Sequence, residues 1–146
     1  MTISGSDLGD ATRDGDENPL LAYLGIELME WEPLRARFSV EIRPHHLNRG
    51  GSLQGGVIAT ILDAACGYAG LWQDDASPTQ SGVTAMLAIS FLARVRSGRV
   101  IADGRISVAG RSLYFAEGTL VDANGELIAT AQGTFKKVGP RATSSM

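Results

Sequence analysis

Only one stretch of this 146-residue sequence has the length and periodicity of a helix of several turns, and it is apolar on almost every side. From Gly55 to Leu71, the residues Val57, Ile58, Ile61, Leu62, Ala65 and Ala69, with Trp72 just beyond, cover most of a helical circumference. Such a helix cannot lie on a surface and has to be enclosed by the rest of the chain. Thr60, Asp63, Ala64, Gly67 and Gly70 recur at spacings of three and four, which puts the small and polar residues on one narrow seam.

What encloses the helix reads as strand. In "LRARFSVEIRP", Leu34, Ala36, Phe38, Val40 and Ile42 alternate with Arg35, Arg37, Ser39, Glu41 and Arg43, the period of a sheet with one buried and one wet face. The run "GIELMEW", closed by Glu32 and Pro33, is its expected hairpin partner. Four further runs, "SGVTAMLAISFLARV", "GRVIADGRISVAG", "SLYFAEGTLVD" and "ELIATAQGTFKKV", are separated by turn signals at Ser97-Gly98, Gly110-Arg111 and Asn124-Gly125, which favours an antiparallel meander. Ahead of them Asn18 and Pro19 have the chemistry of a helix start, so "PLLAYL" is expected to form a short helix ending at Gly25. The fold class is therefore α+β: an antiparallel sheet of five or six strands wrapped around one long central helix.

The domain is expected to span residues 18–138, between a flexible acidic tail at 1–17 and a second tail at 139–146, both too poor in apolar side chains to be ordered by burial. A net charge of -3 argues against a nucleic-acid partner. The sequence contains neither the uninterrupted apolar run of a membrane span nor the basic-then-apolar order of a signal peptide, so a cytoplasmic protein is expected. Cys66 is the single cysteine and His45 and His46 the only histidines, which rules out an internal disulfide and any Cys/His zinc spacing; no metal site is expected.

An ionised carboxylate in a buried helix costs several kcal/mol unless a partner or a watered site compensates. Asp63 therefore either hydrogen-bonds to a neighbouring loop along the seam or serves a site there. Gly55 and Gly56 place bare N–H groups at the positive end of the helix, where they can polarise a carbonyl oxygen or hold an oxyanion, and Gln54 adds an amide donor. Asp63 lies roughly 12 Å further along the axis at about 1.5 Å per residue, too far to act with them on one group in a single subunit. Two antiparallel copies of the helix across a dimer two-fold would bring Asp63 of one chain toward Gly55 of the other.

These residues, "HLNRGGSLQGGVIATILDAACG", followed in order by "SGVTAMLAISFLARVRSG" and "AGRSLYFAEGTLVDANGELIATAQGTF", resemble the hotdog-fold acyl-CoA thioesterases, in particular the phenylacetate-pathway (PaaI-type) branch, from about Leu20 to Phe135. The resemblance implies that Asp63 attacks the thioester carbonyl or activates a water that does. It implies that the Gly55 N–H binds the thioester oxygen, that Asn48 shapes that end of the pocket, and that Ser81 orients the carboxylate or the water. The sequence departs from the family pattern at Gln54, where the PaaI-type motif usually has histidine; glutamine can still donate a hydrogen bond but cannot titrate. Asn48 can equally cap its own loop, Ser81 can simply begin a strand, and His46 matches a loop histidine that is more often structural.

Coenzyme A carries phosphates, and Arg94, Arg96 and Arg99 cluster around one turn, with Arg111 a further candidate by resemblance; the alternative for the cluster is a solvated turn that blunts a sheet edge. Tyr68, Met86, Leu87 and Trp72 are candidates to line an aryl pocket, or plain core residues. The expected activity is hydrolysis of an aryl- or medium-chain acyl-CoA to free acid and CoA, without a cofactor, by a homodimer that pairs again into a dimer of dimers. A non-hydrolytic module that holds acyl-CoA or acyl-carrier thioesters is the alternative.

Overall fold

A computed structural model of the chain describes residues 18–74 and 80–139. The tails expected at 1–17 and 139–146 lie outside these residues, apart from Gly139. The chain opens with helix α1 (Pro19–Leu24), capped at its start by the Asn18 side chain, which accepts from the Leu21 N–H, and ended by Gly25 at φ 73°. Strands β1 (Glu27–Glu32) and β2 (Arg35–Glu41) form a hairpin. After a single 3-10 turn at Pro44–His46 and a glycine-rich loop comes helix α2 (Gly55–Ala69), followed by β3 (Ser81–Phe91), β4 (Arg99–Ala109), β5 (Leu113–Val121) and β6 (Leu127–Val138).

The six strands make one antiparallel sheet in the order β1-β2-β4-β5-β6-β3. The meander expectation holds for β4, β5 and β6 but not for β3. That strand leaves the helix, pairs with β6 at the far edge, and shares no ladder with β4, its neighbour in sequence. The place beside β4 is already taken by β2, whose inward Ala36, Phe38 and Val40 pack beneath the helix. Leu34, expected on the buried face of β2, instead sits in the two-residue turn with Pro33, at φ 66° and exposed.

The sheet curls around α2 and buries Val57, Ile58, Ile61, Leu62, Ala65, Cys66 and Ala69. Its closest approach lies over Gly104 of β4 and Gly118 of β5, which face each other in the ladder. A Cβ on Gly104 would collide with the Ala65 carbonyl and lie 2.7 Å from the Cys66 nitrogen; one on Gly118 would lie 2.8 Å from the Cys66 sulfur. The helix backbone thus rests directly on strand backbone. The helix closes at Ala69, with Gly70 against the Tyr114 ring, so Trp72 falls outside it and is 39 % exposed. No helix among the described residues is long and apolar enough to cross a membrane.

One irregularity decides which way β3 faces. Thr84 pairs with Phe135 and Met86 with Thr134, so Ala85 is an extra residue, a β-bulge. Phe135, Gly133 and Ala131 of β6 face the helix and are buried. Their partners, Thr84 before the bulge and Leu87 and Ile89 after it, therefore share the inward face.

Candidate active site

Asp63 is half-buried on the helix seam, and Thr84 Oγ1 donates to its Oδ1 at 2.7 Å. Thr84 is the only donor to Asp63 among the described residues. The hydroxyl that reaches Asp63 is therefore that of Thr84 and not Ser81, and the bulge explains why. Counting strict alternation back from Leu87, Ile89 and Phe91 puts Ser81 on the inward face, but the extra Ala85 reverses the phase. Ser81 pairs with Val138 at the exposed start of β3, on the opposite face from Thr84.

Around Asp63 and Thr84 lies a pocket of about 180 Å³. Asn18, Leu20 and Leu21 of the α1 region wall one side, Thr60, Ala64, Gly67 and Tyr68 of α2 the roof, and Gly82, Tyr114 and Phe135 of the sheet the floor. Of the aryl-pocket candidates only Tyr68 lines it; Met86 points outward from β3, Leu87 packs on the core, and Trp72 is exposed. Thr60 is occupied, donating to the Gly56 carbonyl at 2.8 Å.

At the other end of the seam the loop is tied to itself. Asn48 Oδ1 accepts from the Gly50 N–H at 2.9 Å and the Ser52 N–H at 3.1 Å, so of its two readings the loop cap is the one seen. Gln54 donates its backbone N–H to the His46 carbonyl and receives Val57 and Ile58, while its exposed side chain makes no capping bond. The Gly55 and Gly56 N–H groups have no acceptor among the described residues, as expected for the first turn of a helix. Directly beside them, the Phe91 ring lies 3.4 Å from where a Gly55 Cβ would be. His46 is buried: its Nδ1 accepts from the Arg43 N–H and its Nε2 donates to the Leu24 carbonyl, a structural pin joining α1 to the loop.

The arginines do not form one cluster. Arg96 donates to the Gly50 carbonyl at 3.0 Å, and Val95 receives the Leu53 N–H, so the segment of Arg94 and Arg96 runs beside the helix start. Arg99 is engaged elsewhere, donating to Ser39 Oγ at 2.8 Å and pairing with Glu41. Arg111 follows the far end of β4, about 35 Å from Arg99 at the usual rise per strand residue. Cys66 is fully buried, and burial, with the charges of Asp63 and Glu117 adding to it, pushes its thiol up to about 12. It is a packing residue.

Residues 50–129 match the family model described as the thioesterase superfamily. The chain belongs to the thioesterase superfamily. Among its relatives, a Pseudomonas aeruginosa protein provisionally named esterase PA0474 is 30 % identical over 81 % of this chain and 87 % of its own length. A second provisionally named esterase, SSO2140 of Saccharolobus solfataricus, is 29 % identical over 80 % of this chain and 81 % of its own. The hotdog architecture recurs in thioesterase HI1161 of Haemophilus influenzae, at a TM-score of 0.80 with 18 % identity, covering 99 % of this chain and 96 % of that one. It recurs as well in the Escherichia coli PaaI protein of the phenylacetic acid degradation operon, at 0.77 with 19 % identity over 91 % and 94 %. This thioesterase is a thioester hydrolase by class. Its Asp63 and Thr84 meet near the middle of α2, and its free Gly55 and Gly56 N–H groups lie at the helix start.

Proposed function

We propose that this thioesterase cleaves an aryl- or medium-chain acyl-CoA to free acid and CoA at a site built from two subunits. The observation that carries the proposal is the antiparallel course of α2 and β3. Thr84 of β3 lies at Asp63, and Phe91 of the same strand lies at Gly55. The strand is also an edge of the sheet, with Val83, Met86, Phe91 and Leu92 exposed along it and after it. An unprotected edge of this length is a template for strand pairing. If β3 pairs with its own copy about a two-fold axis at Ala88, Leu87 falls opposite the partner's Ile89 and, with Ala85 as the extra residue, each Thr84 opposite the partner's Phe91. Each Asp63 then meets the partner's Gly55 end, which removes the separation of roughly 12 Å within one helix.

In that arrangement the Gly55 N–H, with Gln54 nearby, polarises the thioester carbonyl, and charge developing on its oxygen is stabilised by the helix dipole and backbone donor. Asp63, steered through Oδ1 by Thr84, has Oδ2 left to attack the carbonyl carbon or to take a proton from a water that does. Asn48 acts by holding the loop that carries Gln54 and Gly55. The chemistry calls on no metal or redox cofactor. Arg94 and Arg96, beside the helix start, are the arginines best sited for CoA phosphates. A second interface, on the outer sheet face, is supported by exposed Val83, Met86, Val108, Leu113 and Phe115 and would give a dimer of dimers.

Replacing Asp63 with Asn keeps the Thr84 bond and removes the charge. Thiol release from a panel of aryl- and fatty-acyl-CoA substrates is expected to fall by at least about a hundredfold. Turnover like that of the wild type would refute the assignment. Mixing Asp63→Asn with Gly55→Pro, which deletes the N–H, tests the shared site: mixed dimers are expected to recover activity that neither variant has alone.

A further inference from the structure

Tyr114 stands in the lining of the pocket beside Asp63, and the sequence around that ring is built to hold it still. Its hydroxyl donates to the Gly67 carbonyl at 2.7 Å. Its face stacks on Phe135 with centroids 5.2 Å apart and planes 12° from parallel. Three glycines lie close enough to the pair that no side chain fits at any of them. A Cβ on Gly70 would lie 2.8 Å from Tyr114 Cζ, one on Gly82 2.6 Å from its hydroxyl, and one on Gly133 2.8 Å from Phe135 Cζ. The ring is fully buried and has no room to swing. Leu71 closes the same corner, 3.5 Å from the Gly82 Cβ position.

From these contacts we infer that Tyr114, braced by Phe135, is the backstop that sets the length of the acyl group this thioesterase accepts. The inference rests on the reading that Asp63 works on the thioester, which directs the acyl chain into this pocket. A space of about 180 Å³ holds about six non-hydrogen atoms at roughly 30 Å³ each, far less than the cavities that take drug-sized ligands. An acyl group of up to about six carbons fills it; a longer one meets the corner lined by Leu71 and backed by the fixed Tyr114 ring. Because the floor cannot move, the limit is a sharp break and not a gradual decline.

The test is a series of straight-chain acyl-CoA substrates from acetyl to decanoyl, run beside binding of the matching non-hydrolysable alkyl-CoA thioethers. In the wild type, kcat/KM and thioether affinity are expected to rise about fourfold per methylene up to six carbons and then to stop rising or fall. Tyr114→Leu, which replaces the ring by a smaller and more flexible side chain, moves the break outward by about one carbon. Gly67→Ala places a methyl 3.3 Å from Phe135 at the pocket floor and moves it inward by about one. Gly67→Ala also carries the test if Tyr114→Leu does not fold. A wild type that turns over decanoyl-CoA as well as hexanoyl-CoA, or folded variants with the wild-type length profile, would overturn the backstop. Absence of thiol release throughout the series, with the six-carbon break still present in thioether binding, would instead overturn the hydrolytic role of Asp63 and leave Tyr114 as the gauge.

Discussion

Of the glycines among the described residues, Gly104 under the helix leaves the least room for a side chain, and this can be tested by adding one carbon. A Cβ at this position would sit 2.7 Å from the Cys66 nitrogen and nearer still to the Ala65 carbonyl, where ordinary contact begins near 3.4 Å. Both obstacles are backbone, so neither can rotate aside, and α2 has to lift by about 1 Å at this point. Overpacking of this kind costs about 1–3 kcal/mol, and the absence of any flexible neighbour puts Gly104→Ala at the upper end. Lower chain entropy in the unfolded state works the other way, by about 0.4–1 kcal/mol. The net loss of about 2 kcal/mol corresponds to a fall in Tm of roughly 8 °C for a chain of this size. Because Asp63 stands two residues before Ala65, the same lift stretches its 2.7 Å bond to Thr84, and a misplacement of about 1 Å can cost about a hundredfold in kcat. Thermal unfolding by circular dichroism and thiol-release assays read the two effects. Gly139→Ala, where a Cβ meets nothing within 4 Å, is the control. An unchanged or raised Tm in Gly104→Ala would mean the helix does not rest on the strand backbone, and the reasoning fails.

The site and the outer face of the sheet offer two further tests. Thr84→Ala is expected to lower kcat by about ten- to a hundredfold, as for loss of a hydrogen bond to a charged group, with Thr84→Ser close to wild type and Ser81→Ala unaffected; an equal loss in Ser81→Ala would restore the original candidate. On the sheet face, burial alone would raise the Asp103 carboxyl, but the two-pronged bond from Arg35 and the nearby charges of Arg105 and Arg37 hold it below the usual carboxylate range. A carboxyl lowered by folding contributes stability that is complete above its unfolded value of about 3.9 and is lost as pH falls through the folded one. The urea midpoint of Asp103→Asn should therefore lie below that of wild type at pH 7, with the gap closing below about pH 4. A gap that is constant with pH would assign the loss to something other than this charge.

How much of this was legible in the residues depended on whether the deciding contact was local. The cap and stop of α1 could be read because Asn18, Pro19 and Gly25 act on neighbours within a few positions. The α2 helix and the alternation of β2 followed from their apolar periods. The strand order could not be read, since whether β4 sits beside β2 or β3 turns on competition among distant segments. The bond from Thr84 to Asp63 could not be read because the bulge at Ala85 is defined by the register with β6, and nothing in "SGVTAMLAIS" marks it. Arg99 looked free in the sequence because its partners, Ser39 and Glu41, are some sixty residues earlier. The aromatic floor was missed for the same reason: Tyr114 alternates like any buried strand residue, and only Gly70 at the end of α2 and Gly82 of β3 against it, with Gly133 of β6 against Phe135, reveal how tightly the pair is held.

The extra residue in β3 divides the strand into two reading frames. Before Ala85, Gly82 and Thr84 look inward, toward Tyr114 and Asp63; after it, Leu87 and Ile89 look inward onto the core, and Phe91 lies beside Gly55. Deleting that one alanine would force a choice, since a single register can aim Thr84 at Asp63 or Leu87 and Ile89 at the helix, but not both. The bulge is thus a phase boundary, and substitutions on its two sides act on different properties of the enzyme. A change at Thr84 upstream is expected to act on the bond to Asp63, and changes at Leu87 or Ile89 downstream on the packing under the helix.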